Sequence, residues 1–385
     1  MFDYDELFDM RCNIGAKLEA LMKAKGYTKA HLSKEVGISR PTLDKMLNGL
    51  ITSQVNFKRH LRKILDHFHM TPDELMGSSN HLVRNQIRAA RQALRTKAED
   101  IIAATGISAE RLSAIERGEE ASLAEIRDIA ACLSTGTHAL YEETIFEDQL
   151  STLDDLVSEN DHHFSKGCGF WGHVGIQPTS SDEHFWYPIT RNTCDRLYRE
   201  MQSSKRIVIP CMNNKLLYVN LANIKQILLL DEACDEPGFT NWAPSVSCGE
   251  IPMVVYEALD DYFEYTKEEL IEQEAMSERF YAFIQHIVEK EEWTEDTLWN
   301  FQKISLHYRD GKVLESSIDF DRSDSIVTEV EFQYNFGSDH HCEDTMLSYE
   351  SWDGAIVFFN PDEIAFIELP CLETEQAIID SYEDD

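Results

Sequence analysis

A chain of 385 residues has room for two or three domains, each with a core of its own. Its 43% hydrophobic and 27% charged residues describe a globular protein, and no apolar run approaches the length of a membrane-spanning helix. The net charge of −35 argues against a nucleic-acid binder unless the charge is unevenly spread, and it is. Residues 1–10 carry four acids and no base, residues 11–140 carry a net +6 that arises wholly before residue 81, and residues 141–385 carry −37. A mildly basic head is joined to a strongly acidic body, so phosphate contact is expected only at the N-terminal end. The acidic start and nine scattered cysteines, with no Cys-x-x-Cys pair, point to a reducing, cytoplasmic setting.

In chain order, Ile14, Leu18, Leu21 and Met22 recur at helical spacing and predict an apolar opening helix. The stretch from Lys29 to Asn48, KAHLSKEVGISRPTLDKMLN, reads as two short helices joined by a tight turn. Ala30, Leu32 and Val36 form the inward face of the first. Gly37 supplies a backbone conformation that a side chain would oppose. Ile38 plugs the angle between the helices, Ser39 suits the N-cap of the second, and Pro41 suits its first turn. Leu43, Met46 and Leu47 point inward, Arg40, Thr42, Lys45 and Asn48 point out, and Gly49 ends the helix. Two further amphipathic segments follow, with Phe57, Leu61, Ile64, Leu65 and Phe68, then Pro72 to Leu75.

Residues 11–76 resemble the helix-turn-helix domain of phage-repressor, Cro and Xre-type regulators, through the Leu-x-x-x-x-Gly-Ile-Ser core and the Asn-Gly end. The resemblance implies that Lys29 touches a phosphate and that Arg40, Pro41, Thr42 and Lys45, flanked by Ser39 and Asn48, meet DNA from the second of the two helices. Pro41 departs from the usual polar choice and offers an apolar contact, as to a thymine methyl.

A shift of 69 residues aligns Leu18–Gly49 with Ile87–Gly118 without a gap. Gly37 meets Gly106, Ser39 meets Ser108 and Leu43 meets Leu112, so the positions that fold the motif recur. The positions that would read DNA do not: Lys29 becomes Ala98, Arg40 becomes Ala109, Pro41 becomes Glu110 and Lys45 becomes Ala114. Arg111 remains, and Arg84, Arg88, Arg91 and Arg95 recur along one side of the preceding helix. Arg88, Arg91, Arg95 and Arg111 are therefore candidates for contact with the DNA backbone. The competing reading, a structural copy used for packing or dimerisation, is preferred because base readout needs the reading helix.

Residues 141–163 predict an acidic linker helix with the narrow stripe Ile145, Leu150, Leu153 and Leu156. Beyond it, Ile207–Ile209, Leu216–Val219 and Ile224–Leu230 read as strands, with Asn213-Asn214 as a hairpin turn. A helical block covers about Thr266–Ile304, with Leu270, Ile271, Phe280, Phe283, Ile284 and Ile287 at helical spacing. Residues 304–319 and 325–334 read as strands, and Ala355–Phe359 and Ile364–Leu369 repeat the strand, Asn turn, strand order. That order resembles a short part of Sm-like barrels. The fold expected is multidomain, α and α+β. It comprises tandem all-α, lambda-repressor-like helix-turn-helix domains (1–78 and 79–140), the linker (141–163) and an acidic α+β region. The last divides into two related lobes (164–260 and 261–385), each a small bent antiparallel sheet.

Chemistry is poorly signalled. Asp161-His162-His163 with Cys168 and His173, and Asp339-His340-His341-Cys342-Glu343-Asp344, hold zinc-type ligands without standard spacing, and read as polar loops. The aromatic cluster Phe170, Trp171, Phe185, Trp186 and Tyr187 reads as core. No phosphate loop or dinucleotide fingerprint is present, so no cofactor and no enzymatic activity are expected. The expectation is a sequence-specific, repressor-like regulator that binds double-stranded DNA as a homodimer. Its acidic region dimerises, senses a small molecule or docks a protein. The alternative is an antitoxin or anti-repressor-type module whose acidic body binds a basic protein. The charge split also suggests self-inhibition, so that a fragment ending near Leu140 would bind DNA more tightly.

Overall fold

The computed structural model describes residues 4–77, 83–141, 170–231, 251–336 and 346–383. Six helices build the N-terminal unit: α1 (Tyr4–Asp9), α2 (Arg11–Ala24), α3 (Lys29–Val36), α4 (Arg40–Leu47), α5 (Gln54–Phe68) and α6 (Pro72–Met76). The starts of α3 to α6 are written in side-chain caps: Thr28, Ser39, Ser53 and Thr71 each accept a hydrogen bond from the backbone N–H three residues on. Leu7, Ile14, Leu18, Leu32, Leu43, Leu47, Phe57, Leu61 and Ile64 are fully buried together, and this core draws its residues entirely from 4–76. Two glycines set the packing of α2 on α4. A Cβ on Gly15 would lie 2.4 Å from the Leu47 carbonyl oxygen, and one on Gly49 would lie 2.6 Å from Cys12 Sγ.

Four more helices follow: α7 (Ile87–Ala93), α8 (Ala98–Thr105), α9 (Ala109–Glu116) and α10 (Leu123–Cys132). Gly106 ends α8 at φ +79° and Ser108 caps α9, as Gly37 (φ +62°) and Ser39 do for α3 and α4. The core here is not self-contained. Ile101, Leu112, Ile126 and Ile129 share it with α12 (Met253–Glu257), α13 (Leu259–Glu264), α14 (Lys267–Glu272), α15 (Glu278–Lys290) and their neighbours. Arg127 seals the joint, donating to Asp261 at 2.7 Å and to the Ala275 carbonyl at 3.1 Å, while Ser277 donates to Asp128 at 2.7 Å. The helical block expected after residue 266 thus belongs with residues 83–141. Phe283, expected inward, is 38% exposed, because Phe280, Ile284, Ile287 and Val288 define the buried face.

Among the described residues the strands make three antiparallel sheets. β1 (Phe170–Pro178) lies between β2 (Phe185–Thr190) and β5 (Ile224–Asp231); α11 (Arg191–Glu200) follows β2. A five-stranded sheet has the order β3-β4-β10-β6-β7, formed by Arg206–Cys211, Lys215–Asn220, Ile364–Pro370, Ile304–Tyr308 and Val313–Ser316. The last two-stranded sheet joins β8 (Leu347–Glu350) to β9 (Ile356–Phe359). Helices α16 (Glu295–Gln302), α17 (Asp324–Phe336) and α18 (Cys371–Glu383) complete the set.

This topology corrects two expectations. The boundary near residue 260 does not separate two sheets, because β4 pairs with β10, Leu217 opposite Glu368. Residues 325–334, read as a strand from their β-branched run, lie in α17. Ile326, Glu329, Val330 and Gln333 are its buried side, a helical spacing against the sheet, so tertiary packing overrides local propensity. The strand, Asn turn, strand element does occur twice. Asn220 Oδ1 accepts from Ala222 N between β4 and β5, and Asn360 Oδ1 accepts from Asp362 N between β9 and β10. The expected linker helix lies almost wholly outside the described residues. So do the two metal candidates apart from His173, which is buried in β1. Among the described residues no helix is long and apolar enough to cross a membrane.

Candidate nucleic-acid interface

The two helices that open this interface are held by their caps and turn. Thr28 Oγ1 accepts from His31 N at 3.2 Å and starts α3. Leu32 and Val36, four residues apart, face the core. Ala30 is exposed, against expectation, because two residues of helix rotate it some 200° from Leu32. After Gly37, Ile38 is buried and its carbonyl accepts from Ser33 Oγ at 2.6 Å. Ser39 Oγ accepts from Thr42 N at 3.3 Å and lies 2.7 Å from Thr42 Oγ1. Arg40, Pro41 and Lys45 stand exposed on α4, with Thr42 and Asn48 half-buried beside them. Asn48 ends the helix, its N–H reaching the Asp44 carbonyl at 3.1 Å. Lys29, half-buried at the start of α3, is ion-paired with Asp44 at 3.0 Å. All seven residues expected at the DNA surface therefore lie on one continuous stretch, α3 to the end of α4.

The arginine row behaves otherwise. Arg88 and Arg91 are 5% and 7% exposed, and both meet Glu116, itself 4% exposed. Arg91 Nε donates to Glu116 Oε1 at 2.5 Å, and Arg88 Nη2 donates to Glu19 Oε2 at 2.5 Å. Burial raises the Glu19 carboxyl, but the adjacent Arg88 guanidinium outweighs it and leaves the pKa below the ordinary carboxylate value. Arg111 is engaged too, as a fork on Glu125 with both bonds at 2.7 Å. That fork, more than the opposing burial, lowers the Glu125 pKa. Three of the four arginines considered for phosphate contact thus hold the helices together. Arg95 alone of the four is exposed, at φ +52° in the turn after α7.

Asn13 joins the same seam. Its amide donates to the Glu116 carbonyl at 3.2 Å and its Oδ1 accepts from Asn85 N at 3.3 Å. Sequence reading passed over Glu19, Asp44, Asn13 and Glu116. For Glu116 a signal existed: the 69-residue shift aligns it with the buried Leu47, and a carboxylate at a core position requires cationic partners. Two clefts flank the seam. One, of about 830 Å³, lies between α2 and α9 and includes Ala109, Glu110 and Ser113 in its walls. The other, of about 490 Å³, brings Lys29 and Asn48 together with Arg95 and Lys97.

With this geometry in view, comparison with known families matches residues 17–79 to the Cro/C1-type HTH DNA-binding domain. Comparison with curated proteins and with solved structures returns no match.

Proposed function

We propose that the chain is a sequence-specific DNA-binding transcriptional regulator whose reader is α3–α4, with Arg40, Pro41, Thr42 and Lys45 at base edges and Lys29, Ser39 and Asn48 at the backbone. The observation that carries this reading is the exposed row Arg40, Pro41 and Lys45 on a helix fixed by Ser39 and by the buried Leu43, Met46 and Leu47. It is the arrangement a major groove accepts. In this reading residues 87–132 are a second helix-turn-helix copy that positions the reader and takes no part in base recognition. Its counterpart helix offers Ala109 and Glu110, and Glu110 repels phosphate.

The acidic body supports a partner role. Its net charge of −37 beyond residue 140 suits a basic protein, and a basic partner is the second reading we retain, as in an antitoxin or anti-repressor-type module. Selection of bound sequences from a random DNA pool, with the full-length protein at physiological salt, tests the first reading. Enrichment of a defined site supports it. An unenriched pool, with capture of a basic protein by the same preparation, favours the second.

A further inference from the structure

The seam between the two helical units has a symmetry that neither unit has alone. Under the 69-residue shift, Glu19 corresponds to Arg88, and these two side chains are the pair in contact across the seam. Equivalent positions meet in this way at the axis of an isologous dimer, where two units are exchanged by an approximate two-fold rotation. The flanking clefts repeat the pattern. In one, Glu19, Lys23 and Thr28 of the first unit face Arg117 of the second. In the other, Arg88, Gln92 and Lys97 of the second unit face Asn48 of the first. Lys23 corresponds to Gln92, Thr28 to Lys97 and Asn48 to Arg117, so the clefts exchange under the same rotation.

From this we infer that the chain carries its own pseudo-dimer, and that one chain reads one asymmetric DNA site through α4 and a backbone clamp formed by Arg95 and Lys97. The inference rests on the DNA-binding reading of α3–α4 and specifies its target. The α2 face that a second copy would use is already covered by α7 and α9, through Asn13, Asn85 and the Glu116 cluster. The two halves are not chemically equal. The cleft beside α9 also holds Lys23 and Arg117, but Arg117 is paired with Glu119 at 3.4 Å, and where α4 offers Arg40 and Pro41 this side offers Ala109 and the acid Glu110. The cleft beside α4 joins Lys29 and Asn48, the backbone-contacting ends of the reader, to Arg95 and Lys97. Its acids are Glu19, bound to Arg88, and Glu99. Duplex lying along α4 and over Asn48 therefore continues onto the α7–α8 turn, on one side of the base-reading site.

The test uses the full-length chain and the duplex selected from the random pool. The double variant R95N/K97Q keeps the turn, since Asn tolerates the left-handed conformation at position 95. Its fold is verified by circular dichroism. The expected result is one chain per duplex at saturation, an asymmetric site, and about tenfold weaker binding by the double variant. Its salt slope should be shallower by about two and its base preference unchanged. A palindromic site with two chains bound overturns the inference, as does a double variant with unchanged affinity and slope. In both of those cases Arg40→Ala would still alter base preference, so the reading of α4 would stand. Absence of DNA binding by the unaltered chain overturns that reading and the inference with it.

Discussion

Lys29 Nζ lies 3.0 Å from Asp44 Oδ1, so the residue expected to meet a phosphate is tied to an acid on the reading helix itself. More than a third of each side chain is exposed, and such pairs add little stability. The consequence, in the proposed reading, is electrostatic: DNA must compete with Asp44 for Lys29. Replacing Asp44 by Asn should therefore tighten binding to every sequence alike, by about three- to tenfold at low salt, and the gain should shrink as salt rises. Titration of the selected duplex and a scrambled one at two salt concentrations checks this. Tightening confined to the selected duplex would show that Asp44 discriminates bases.

Arg40 is the exposed first residue of α4, where in the proposed reading its guanidinium meets a base edge. Arg40→Ala should weaken the selected site by about 1–3 kcal/mol and relax preference at one base pair. Lys29→Ala should weaken all sequences alike. Selection repeated on each variant separates the two roles, and a loss of preference in Lys29→Ala would reverse the assignment.

Glu116 serves two buried guanidiniums, so Glu116→Ala leaves Arg91 without its acid and Arg88 with Glu19 alone. Loss of one member of such a buried cluster should cost about 3–5 kcal/mol, read by chemical denaturation. The first unit holds Leu47 and Met22 at the positions of Glu116 and Arg91. Glu116→Leu combined with Arg91→Met should accordingly recover most of that loss, since apolar packing replaces a buried pair at little net cost. An equal loss in the combined variant would mean the two residues do not act together.

The helix-turn-helix stretch was legible because its signals are local. Ser39, Gly37 and Gly49 specify a helix start, a left-handed turn and a helix end from single residues, and Leu32, Leu43 and Leu47 follow one period. The seam was not, since Arg88 and Arg91 look like a solvated basic face until Glu116, two helices further on, is known to be buried against them. The strand order was hidden for a related reason. The alternation within β4 fixes which side chains share a face but says nothing of its partner, and β10 is 147 to 155 residues away along the pairing. In α17, the β-branched Ile326, Val327 and Val330 carried a strand-like signal that the helical spacing of Glu329 and Gln333 outweighs once they too are buried.

The joint between β10 and its neighbours predicts a pH response. Glu368 accepts from Tyr187 Oη at 2.5 Å and lies 3.4 Å from His307 Nε2 and 3.7 Å from Lys215 Nζ. Burial raises this carboxyl, but His307, Lys215 and Tyr187 outweigh it and hold the pKa at about 2. The folded value lies below that of the unfolded chain, so the stabilisation is complete above about pH 4.3 and is lost as pH falls toward about 2. Glu373 titrates in the opposite sense, since burial pushes it up to about 7. The difference between the protein and Glu368→Gln isolates the first effect. It should be on the order of 2–3 kcal/mol at pH 6 and should shrink below pH 4. A difference that is constant with pH would assign the loss to geometry and not to charge.

A fragment cut near Leu140 would be a poor test of self-inhibition, because Ile101, Ile126, Ile129 and Leu133 share their core with Val254, Phe280 and Ile284. The cut would strip that core of its other half. Residues 1–77 hold a core of their own, from Leu7 to Met76, and should fold alone with the helical content of α1–α6. The fragment lacks Arg95 and Lys97, so its proper reference is the full chain carrying R95N/K97Q, where the turn's charges are missing from both. If the acidic body, with its −37, competes with DNA for the basic head, the fragment should bind about tenfold more tightly at low salt. The two should converge as salt screens the body. Equal affinities at every salt concentration would remove self-inhibition and leave the acidic region free for a partner outside the chain.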